Sequence, residues 1–229
     1  MANISLKWHG HSTYSLDIDG TKVVVDPFFA PNNPAAKVTQ EDVEADVILV
    51  THGHGDHVAD LVSLAKRTGA KVICNFEIGN WLDGKGVTNY HQQHLGGGFQ
   101  HDFAHVKMTV ALHGSGLPDG SYGGMPGGFL ITKDDTKIYI AGDTALFSDM
   151  ALIGRHGIDL AIIPIGDNFT MGPDDALDAV GYLKPKVVIP CHYDTWPPIE
   201  QDASNWAKQV EAETGAKVVV LEVEGSYDV

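Results

Sequence analysis

Short apolar and alternating segments, separated by polar turns, divide this chain into many predicted strands. Residues 13–19 alternate apolar and polar positions, and Asp19-Gly20 follows as a hairpin turn signal. Residues 21–25 then complete the hairpin. Residues 47–50 are instead continuously apolar and mostly β-branched, which is typical of a buried strand. The first half of the chain therefore opens with a hairpin and continues with buried strands.

Segments with helical spacing of apolar residues lie between the predicted strands. Residues 58–67 have this spacing and end at Thr68-Gly69, a glycine C-cap. Residues 173–183 and 204–214 predict two more helices. Each half of the chain opens with a hairpin and then alternates strands with helices. We therefore expect an α/β fold in which two sheets pack face to face with helices outside.

The two ends of the chain have simpler patterns. Residues 4–8 alternate and predict an edge strand, residues 217–223 predict the last strand, and residues 224–229 predict a tail. Neither a low-complexity linker nor a charge block interrupts the chain between them. We therefore expect a single domain over residues 1–229, a length that suits one α/β domain.

The composition is that of a soluble globular protein. Hydrophobic residues make up 43% of the 229 positions and charged residues 20%, and no apolar run approaches the roughly twenty residues of a membrane span. The start of the chain does not resemble a signal peptide. The two cysteines, Cys74 and Cys191, do not form a disulfide framework. These features predict a cytoplasmic protein without a membrane partner.

A net charge of −15 restricts the partners of this chain. Such a field repels polyanions, so we expect no nucleic acid partner, and the sequence lacks the basic groove or arm that a nuclease needs. A small-molecule substrate is expected instead. It can be anionic, because bound metal ions would dominate the local potential. The oligomeric state is left open, a homo-oligomer included.

The densest chemical signal is the segment Thr51-His52-Gly53-His54-Gly55-Asp56-His57. Three imidazoles and one carboxylate fall within six consecutive residues, directly after the predicted strand at residues 47–50. Imidazole and carboxylate are suitable ligands for zinc, manganese and iron. The two glycines allow a tight turn, so that neighbouring side chains can point to the same place. The pattern predicts a metal site, against the alternative of a histidine-rich surface turn.

Other apolar runs also end in a polar residue. Because open α/β sheets place their sites beyond the carboxyl ends of strands, these side chains are expected to meet at one edge. They comprise Asp26, His52, His113, Asp143, Asp167 and His192. Cys191 precedes His192 and is expected to face the core, because neighbouring side chains of a strand point to opposite faces.

In these motifs the chain resembles the metallo-β-lactamase superfamily. The order of Asp26, the His52-to-His57 motif, His113, Asp143 in Ala-Gly-Asp-Thr and His192 in Pro-Cys-His-Tyr is similar to that of the superfamily. The phrases at residues 8–12, 124–129 and 164–172 resemble one branch of it. That branch contains small metal-dependent hydrolases related to L-ascorbate-6-phosphate lactonase.

The resemblance implies a four-layer αββα sandwich of two mixed sheets, with two divalent metal ions between them. Zinc is the expected metal, with manganese or iron as alternatives. The implied ligands are His52, His54 and His113 for one ion, Asp56, His57 and His192 for the other, and Asp143 as the bridge. Asp26 is implied to hydrogen-bond a ligand imidazole, and the alternative is an aspartate that caps the turn before Pro27.

The expected activity is hydrolysis of a small ester, lactone or phosphoester by a hydroxide that bridges two metal ions. Asp56 is expected to be a ligand that can also accept a proton. His11 is expected to line the site, unless the backbone satisfies it in a turn, and Asp167 to orient substrate, unless it caps its own turn. His94 could approach substrate, and residues 114–128 predict a mobile loop over the site. A phosphodiesterase or nuclease of the same superfamily and a non-catalytic metal-binding protein are the alternatives.

Overall fold

A computed structural model describes residues 2–229 and contains two seven-stranded sheets. The order in the first sheet is β14-β1-β2-β3-β4-β5-β6. Its strands are β1 (Ile4–Trp8), β2 (Tyr14–Ile18), β3 (Thr21–Val25), β4 (Val47–Leu49), β5 (Lys71–Cys74), β6 (Tyr90–Gln92) and β14 (Ser226–Asp228). Pairing is antiparallel from β14 to β3 and parallel from β3 to β6.

The second sheet repeats this arrangement, in the order β13-β12-β11-β10-β9-β8-β7. Its strands are β7 (Gly98–Gln100), β8 (His105–Val110), β9 (Gly127–Lys133), β10 (Thr136–Ile140), β11 (Leu160–Pro164), β12 (Val187–Cys191) and β13 (Lys217–Val218). Pairing is antiparallel from β7 to β10 and parallel from β10 to β13. The predicted fold class, with two mixed sheets, is confirmed.

Helices cover the outer faces of the sheets. They are α1 (Gly55–Val58), α2 (Leu61–Thr68), α3 (Phe76–Gly84), α4 (Met150–Gly154), α5 (Pro173–Leu183) and α6 (Ala203–Thr214), with short 3₁₀ helices at Gln40–Asp42 and Pro197–Ile199. Trp206 of α6 is buried and donates its Nε1–H to the Pro173 carbonyl at 2.9 Å, which ties α6 to α5. No helix among residues 2–229 has the length and apolar character that crossing a membrane requires.

Two apolar clusters show how both faces of the first sheet are covered. Val23 and Val25 belong to the large cluster that includes the interior between the sheets. Val24, between them, packs instead with Leu61 and Leu64 of α2. Successive strand side chains point to opposite faces, so a continuously apolar strand needs a layer on each side. The run Val23-Val24-Val25 therefore indicates a strand between two layers.

The carboxyl ends of the parallel strands lie at one edge of the sandwich and carry the polar residues. Asp26 follows β3, Asp143 follows β10 after two residues, and His192 follows β12. All three are buried despite their polarity. Buried polar groups require hydrogen-bond or ionic partners, so this edge is where chemistry is expected.

The structure corrects the predictions for the chain ends. The predicted tail at residues 224–229 contains β14, which pairs with β1, so β1 is not an edge strand. The predicted strand at residues 217–223 is regular only over Lys217–Val218. The single-domain prediction covers residues 1–229, and residue 1 lies outside the described residues.

The difference in burial between two leucines predicts different effects on the free energy of unfolding. Leu16 of β2 is 1% exposed, whereas Leu152 of α4 is 55% exposed. We expect Leu16→Ala to lower the free energy of unfolding by about 2–5 kcal/mol, because it removes buried methyl groups and leaves a cavity. Leu152→Ala, the matched control, should change it by less than about 0.5 kcal/mol. Urea denaturation measures both, and equal effects would contradict the assignment of Leu16 to the core.

Candidate metal centre

Three histidines from two loops form a first cluster. His52 and His54 follow β4, and His113 follows β8. His54 Nδ1 lies 3.1 Å from His52 Nε2 and 3.2 Å from His113 Nε2. One ring nitrogen from each lies within 4.8 Å of the others, an arrangement that could hold one metal ion.

A second cluster lies beside the first. Helix α1 carries Asp56 and His57, and His192 follows β12. His11, from the turn between β1 and β2, joins them, and the four ligand atoms lie within 4.8 Å of one another. His11 Nε2 is 3.1 Å from Asp56 Oδ2, and His192 Nε2 is 3.9 Å from the same oxygen. The structure therefore places His11 in the site as a fourth member of this cluster.

One carboxylate oxygen of Asp143 reaches both clusters. Asp143 Oδ2 lies 3.0 Å from His192 Nε2 and 3.3 Å from His57 Nε2 in the second cluster. It lies 3.6 Å from His113 Nε2 and 4.0 Å from His52 Nε2 in the first. Asp143 is 2% exposed. A buried carboxylate between two sets of imidazoles is the position that a bridging ligand requires.

Burial and neighbouring charges shift the pKa values of the site residues in different directions. Burial alone would lower the pKa of His57, but the Asp143 and Asp26 carboxylates outweigh it and raise that pKa well above its usual value, so this ring must release a proton when a metal ion binds. Burial lowers the pKa of His52 well below its usual value, which keeps the ring neutral. Burial alone would raise the pKa of Asp143, but the His192 and His57 imidazoles outweigh it and hold that pKa well below the usual range. Neutral imidazole and ionised carboxylate are the forms that bind metal ions.

Several buried polar atoms of the site lack a hydrogen-bond partner within the described residues. They include His57 Nε2, Asp143 Oδ1 and His192 Nδ1. Buried polar groups are nearly always satisfied, so a group of unsatisfied donor or acceptor atoms at one place needs a further ligand. Imidazole nitrogens and carboxylate oxygens together fit divalent cations such as zinc, manganese or iron. The residues present therefore fit the metal ions that the sequence predicts.

A hydrogen-bonded chain behind the clusters orients one imidazole from each. Asp26 Oδ2 lies 2.8 Å from His57 Nδ1 and accepts from the Thr51 hydroxyl at 2.6 Å. Because that hydroxyl has one proton and donates it to Asp26, it accepts from His52 Nδ1 at 3.0 Å. Both rings then turn Nε2 towards Asp143. Asp26 has the supporting position that the sequence suggests, and it also accepts from the Thr51 N–H at 2.8 Å.

Left-handed backbone conformations aim several of these side chains. His11, Asp26 and His192 have φ values of 55°, 45° and 54°. Such conformations cost non-glycine residues of order 1–3 kcal/mol and cluster at functional sites. Gly142, before Asp143, has φ 65°, and a Cβ there would lie 2.8 Å from the Gly127 carbonyl oxygen. Glycine at this position lets the Asp143 loop approach β9.

The remaining predicted site residues lie outside the two clusters. Asp167 is exposed, and its Oδ1 accepts from the Asn168 N–H at 2.8 Å within its own turn. His94 is exposed, and its Nδ1 accepts from the Leu95 N–H. The roles of Asp167 and His94 towards substrate stay predictions.

The loop after His113 is joined to the first cluster. Ser115 Oγ accepts from the Gly53 N–H at 3.0 Å and donates to the Gly123 carbonyl at 2.8 Å. Asn75 Nδ2 donates to the same carbonyl at 2.7 Å. These bonds attach the loop to the turn between His52 and His54, so it forms one wall of the site.

Most of the chain is similar in sequence to known proteins. The model of a β-lactamase superfamily domain matches residues 21–193. A UPF0173 metal-dependent hydrolase of Shouchella clausii is 46% identical over 226 residues, which cover 96% of this chain and 97% of the relative. The chain belongs to the metallo-β-lactamase superfamily. It is a metal-dependent hydrolase.

Two solved structures have the same architecture as this chain. Igni18, a metallo hydrolase of Ignicoccus hospitalis, is 34% identical with a TM-score of 0.90, and the match covers 99% of this chain and 98% of that one. The metallo-β-lactamase fold protein YhfI of Bacillus subtilis is 15% identical with a TM-score of 0.77, covering 99% and 100% of the two chains. The second likeness concerns the fold alone, and it confirms the predicted metallo-β-lactamase fold.

Sequence reasoning missed two residues of this hydrolase's site. Thr195 Oγ1 lies 2.8 Å from His11 Nδ1, across 184 positions of sequence, and no local pattern marks it. Thr51 lies in the histidine motif, but its hydroxyl role depends on Asp26, 25 positions earlier. Polar residues directly beside a metal-ligand motif are the signal that would have pointed to Thr51.

The Asp26 network makes a prediction about metal affinity. Asp26→Asn should weaken metal binding by roughly 10–100-fold. The two carboxylate oxygens of Asp26 accept hydrogen bonds from Thr51 and His57, whereas an amide has a single acceptor oxygen. Asp60→Asn is the control, since Asp60 is buried and accepts from the Phe29 N–H without touching a site histidine. Competition with a fluorescent chelator measures both affinities. Equal affinities for the two variants would contradict the orienting role of Asp26.

Proposed function

We propose that this chain hydrolyses a small ester, lactone or phosphoester, using two divalent metal ions held by seven residues. The observation that carries the proposal is the Asp143 carboxylate oxygen, which lies within 4.0 Å of imidazoles from both clusters. Zinc is the metal that we favour, with manganese or iron as alternatives. Paired cations in such a site lower the pKa of a bound water and polarise the substrate oxygen.

We assign separate roles in metal binding, proton transfer and ligand orientation to the residues of the site. His52, His54 and His113 would hold one ion, and Asp56, His57 and His192 the other, with Asp143 shared. The Asp56 side chain is 26% exposed, whereas that of Asp143 is 2% exposed, so Asp56 is the more accessible carboxylate of the site. Burial would raise the pKa of Asp56, but the hydrogen bond from His11 and the charge of His57 hold it below the usual range. We therefore assign Asp56 a transient role, in which it takes the proton that the attacking water loses on adding to the substrate and passes it on. Asp26 and Thr51 keep the ligand rings in place during this step.

His11 is proposed to position Asp56. It is fully buried, its Nε2 lies 3.1 Å from Asp56 Oδ2, and its Nδ1 lies 2.8 Å from Thr195 Oγ1. Burial, together with the neighbouring His192, lowers the pKa of His11 to about 4, so it is neutral at pH 7. A neutral ring with Nε2–H can donate to Asp56 while Thr195 donates to Nδ1. The carboxylate then keeps one orientation.

Metal removal and replacement test the proposed chemistry. We expect the purified protein to contain two metal ions per chain by elemental analysis, and chelation to abolish hydrolysis of aryl esters, lactones and phosphodiesters. Adding back a single kind of divalent ion should restore the activity. Hydrolysis that persists in the chelated, metal-free protein would contradict the proposal.

Variants of the ligands test the two-ion scheme. His192→Ala should remove one of the two ions and lower kcat/KM by more than the roughly 10–100-fold that loss of a supporting residue causes. His156→Ala is the control, because His156 is exposed after α4 and belongs to neither cluster. Full activity of His192→Ala with one ion lost would contradict a role for both ions.

The role of His11 has its own test. His11→Ala should weaken binding of the second ion by roughly 10–100-fold, whereas His11→Gln should retain part of the affinity through its amide N–H. His9→Gln is the control, since His9 is buried nearby but bonds Glu224 and Ser15 instead. Isothermal titration with zinc or manganese measures both ions separately. Two unchanged affinities in His11→Ala would rule out the positioning role.

A further inference from the structure

The loops around the metal centre carry almost no positive charge. They follow the carboxyl ends of the strands and comprise residues 26–39, 50–54, 111–126, 141–149, 165–172 and 192–202. Lys37 is the one lysine or arginine in these ranges of the sequence. Its Nζ donates to the Val223 carbonyl at 3.2 Å. Lys85, from the end of α3, touches the 111–126 loop, but it is paired with Asp119 at 3.0 Å.

The same loops carry exposed negative charge. Besides Asp119, which is paired with Lys85, the exposed acidic residues are Asp149, Asp167, Asp194, Glu200 and Asp202. With a net charge of −15 for the chain, the field outside the metal centre is therefore negative. A substrate group that reaches past the metal ions would meet carboxylates there. Phosphate and carboxylate groups are usually bound by Arg, Lys or helix N-termini, and these loops supply no lysine or arginine free for that purpose.

Apolar side chains border the centre instead. Leu112 is 49% exposed and directly precedes His113, and its N–H donates to Thr144 Oγ1 at 3.0 Å. Phe169 is 54% exposed, in a turn that is tied to the same threonine because the Met171 N–H donates to the Thr144 carbonyl at 3.0 Å. On the His11 side, the Trp196 ring lies 4.9 Å from the His11 ring. The borders of the site thus offer apolar contact on more than one side.

From these observations we propose that the substrate is a neutral ester or lactone whose part remote from the scissile bond is uncharged and apolar. This inference rests on the proposed function, and it excludes sugar-phosphate lactones and other substrates with a remote anionic group. The metal ions, partly neutralised by Asp56 and Asp143, would attract the oxygen of the reacting group. Leu112, Phe169 and Trp196 would contact the remote group, which gains affinity by burying apolar surface.

Two aryl esters with the same leaving group test the preference. 4-Nitrophenyl pentanoate ends in a methyl group, and mono-4-nitrophenyl glutarate ends in a carboxylate at the same position. With metal-loaded protein we expect kcat/KM to be at least about tenfold higher for the pentanoate. The difference should shrink at high ionic strength, because salt screens the repulsion. Equal or faster hydrolysis of the glutarate would overturn the proposal.

A binding measurement separates this inference from the proposed function. Pentanoic hydroxamate and the monohydroxamate of glutaric acid both bind divalent cations through the same group, so neither needs to be hydrolysed. Isothermal titration of the metal-loaded protein should give the pentanoic compound an affinity about tenfold higher. If neither ester is hydrolysed, the proposed ester hydrolysis is wrong. The two hydroxamate affinities would still show whether the site prefers an uncharged or an anionic remote group. Equal affinities, or tighter binding of the glutaric compound, would overturn the proposed preference for an uncharged group.

Charge variants test whether the named residues contact the remote group. Leu112→Lys and Phe169→Lys should each raise the glutarate-to-pentanoate ratio of kcat/KM by about tenfold, because they place a cation beside the remote carboxylate. Tyr182→Lys adds the same charge at an exposed position near the far end of α5 and should leave the ratio unchanged. A ratio that rises equally in all three variants would show a general effect of net charge and would overturn the assignment of these contacts.

Discussion

One buried carboxylate oxygen connects the two halves of this protein. Asp143 Oδ2 lies between imidazoles that come from both sheets, and these groups replace the water that an ionised carboxylate loses on burial. An unpaired buried charge costs several kcal/mol, so the carboxylate and its histidines depend on each other. Apolar residues fill the interior between the sheets, and Asp143 is buried at its edge. The site therefore forms only when the two sheets pack together, because each sheet supplies some of the histidines around Asp143.

The residues behind the clusters make that arrangement specific. The Asp26 carboxylate accepts hydrogen bonds from the Thr51 N–H, the Thr51 hydroxyl and His57 Nδ1. The Thr51 hydroxyl oxygen in turn accepts a hydrogen bond from His52 Nδ1. The network joins the end of β3 to the start of the histidine motif, and it turns the Nε2 atoms of His52 and His57 towards Asp143. The hydrogen bonds that connect the ends of β3 and β4 thus also fix the orientation of the His52 and His57 rings.

Charge is distributed unevenly between the centre and its surroundings. Metal ions would make the centre positive, whereas the surrounding loops are acidic and bordered by apolar side chains. Under the proposed substrate preference, this contrast would let a chain with a net charge of −15 activate a polar reacting group and disfavour anionic substrates. The proposed substrate would be recognised by different physical interactions at its two ends, ionic for the reacting group at the centre and hydrophobic for the remainder.

The sequence alone predicted the fold class, because apolar periodicity is a local feature. It also predicted that polar residues after strand ends meet, which the structure shows for Asp26, His52, His113, Asp143 and His192 but not for Asp167. It did not predict β14, since residues 224–229 have no strong strand pattern and become ordered by pairing with β1. It also placed one helix over residues 58–67, where the structure has the last residue of α1 followed by α2, and it did not predict the rest of α1. Only the tertiary structure placed His11 against Thr195 and Asp56 and left Asp167 exposed in its own turn. Contacts across 184 residues depend on how two sheets pack, and no local pattern encodes that geometry.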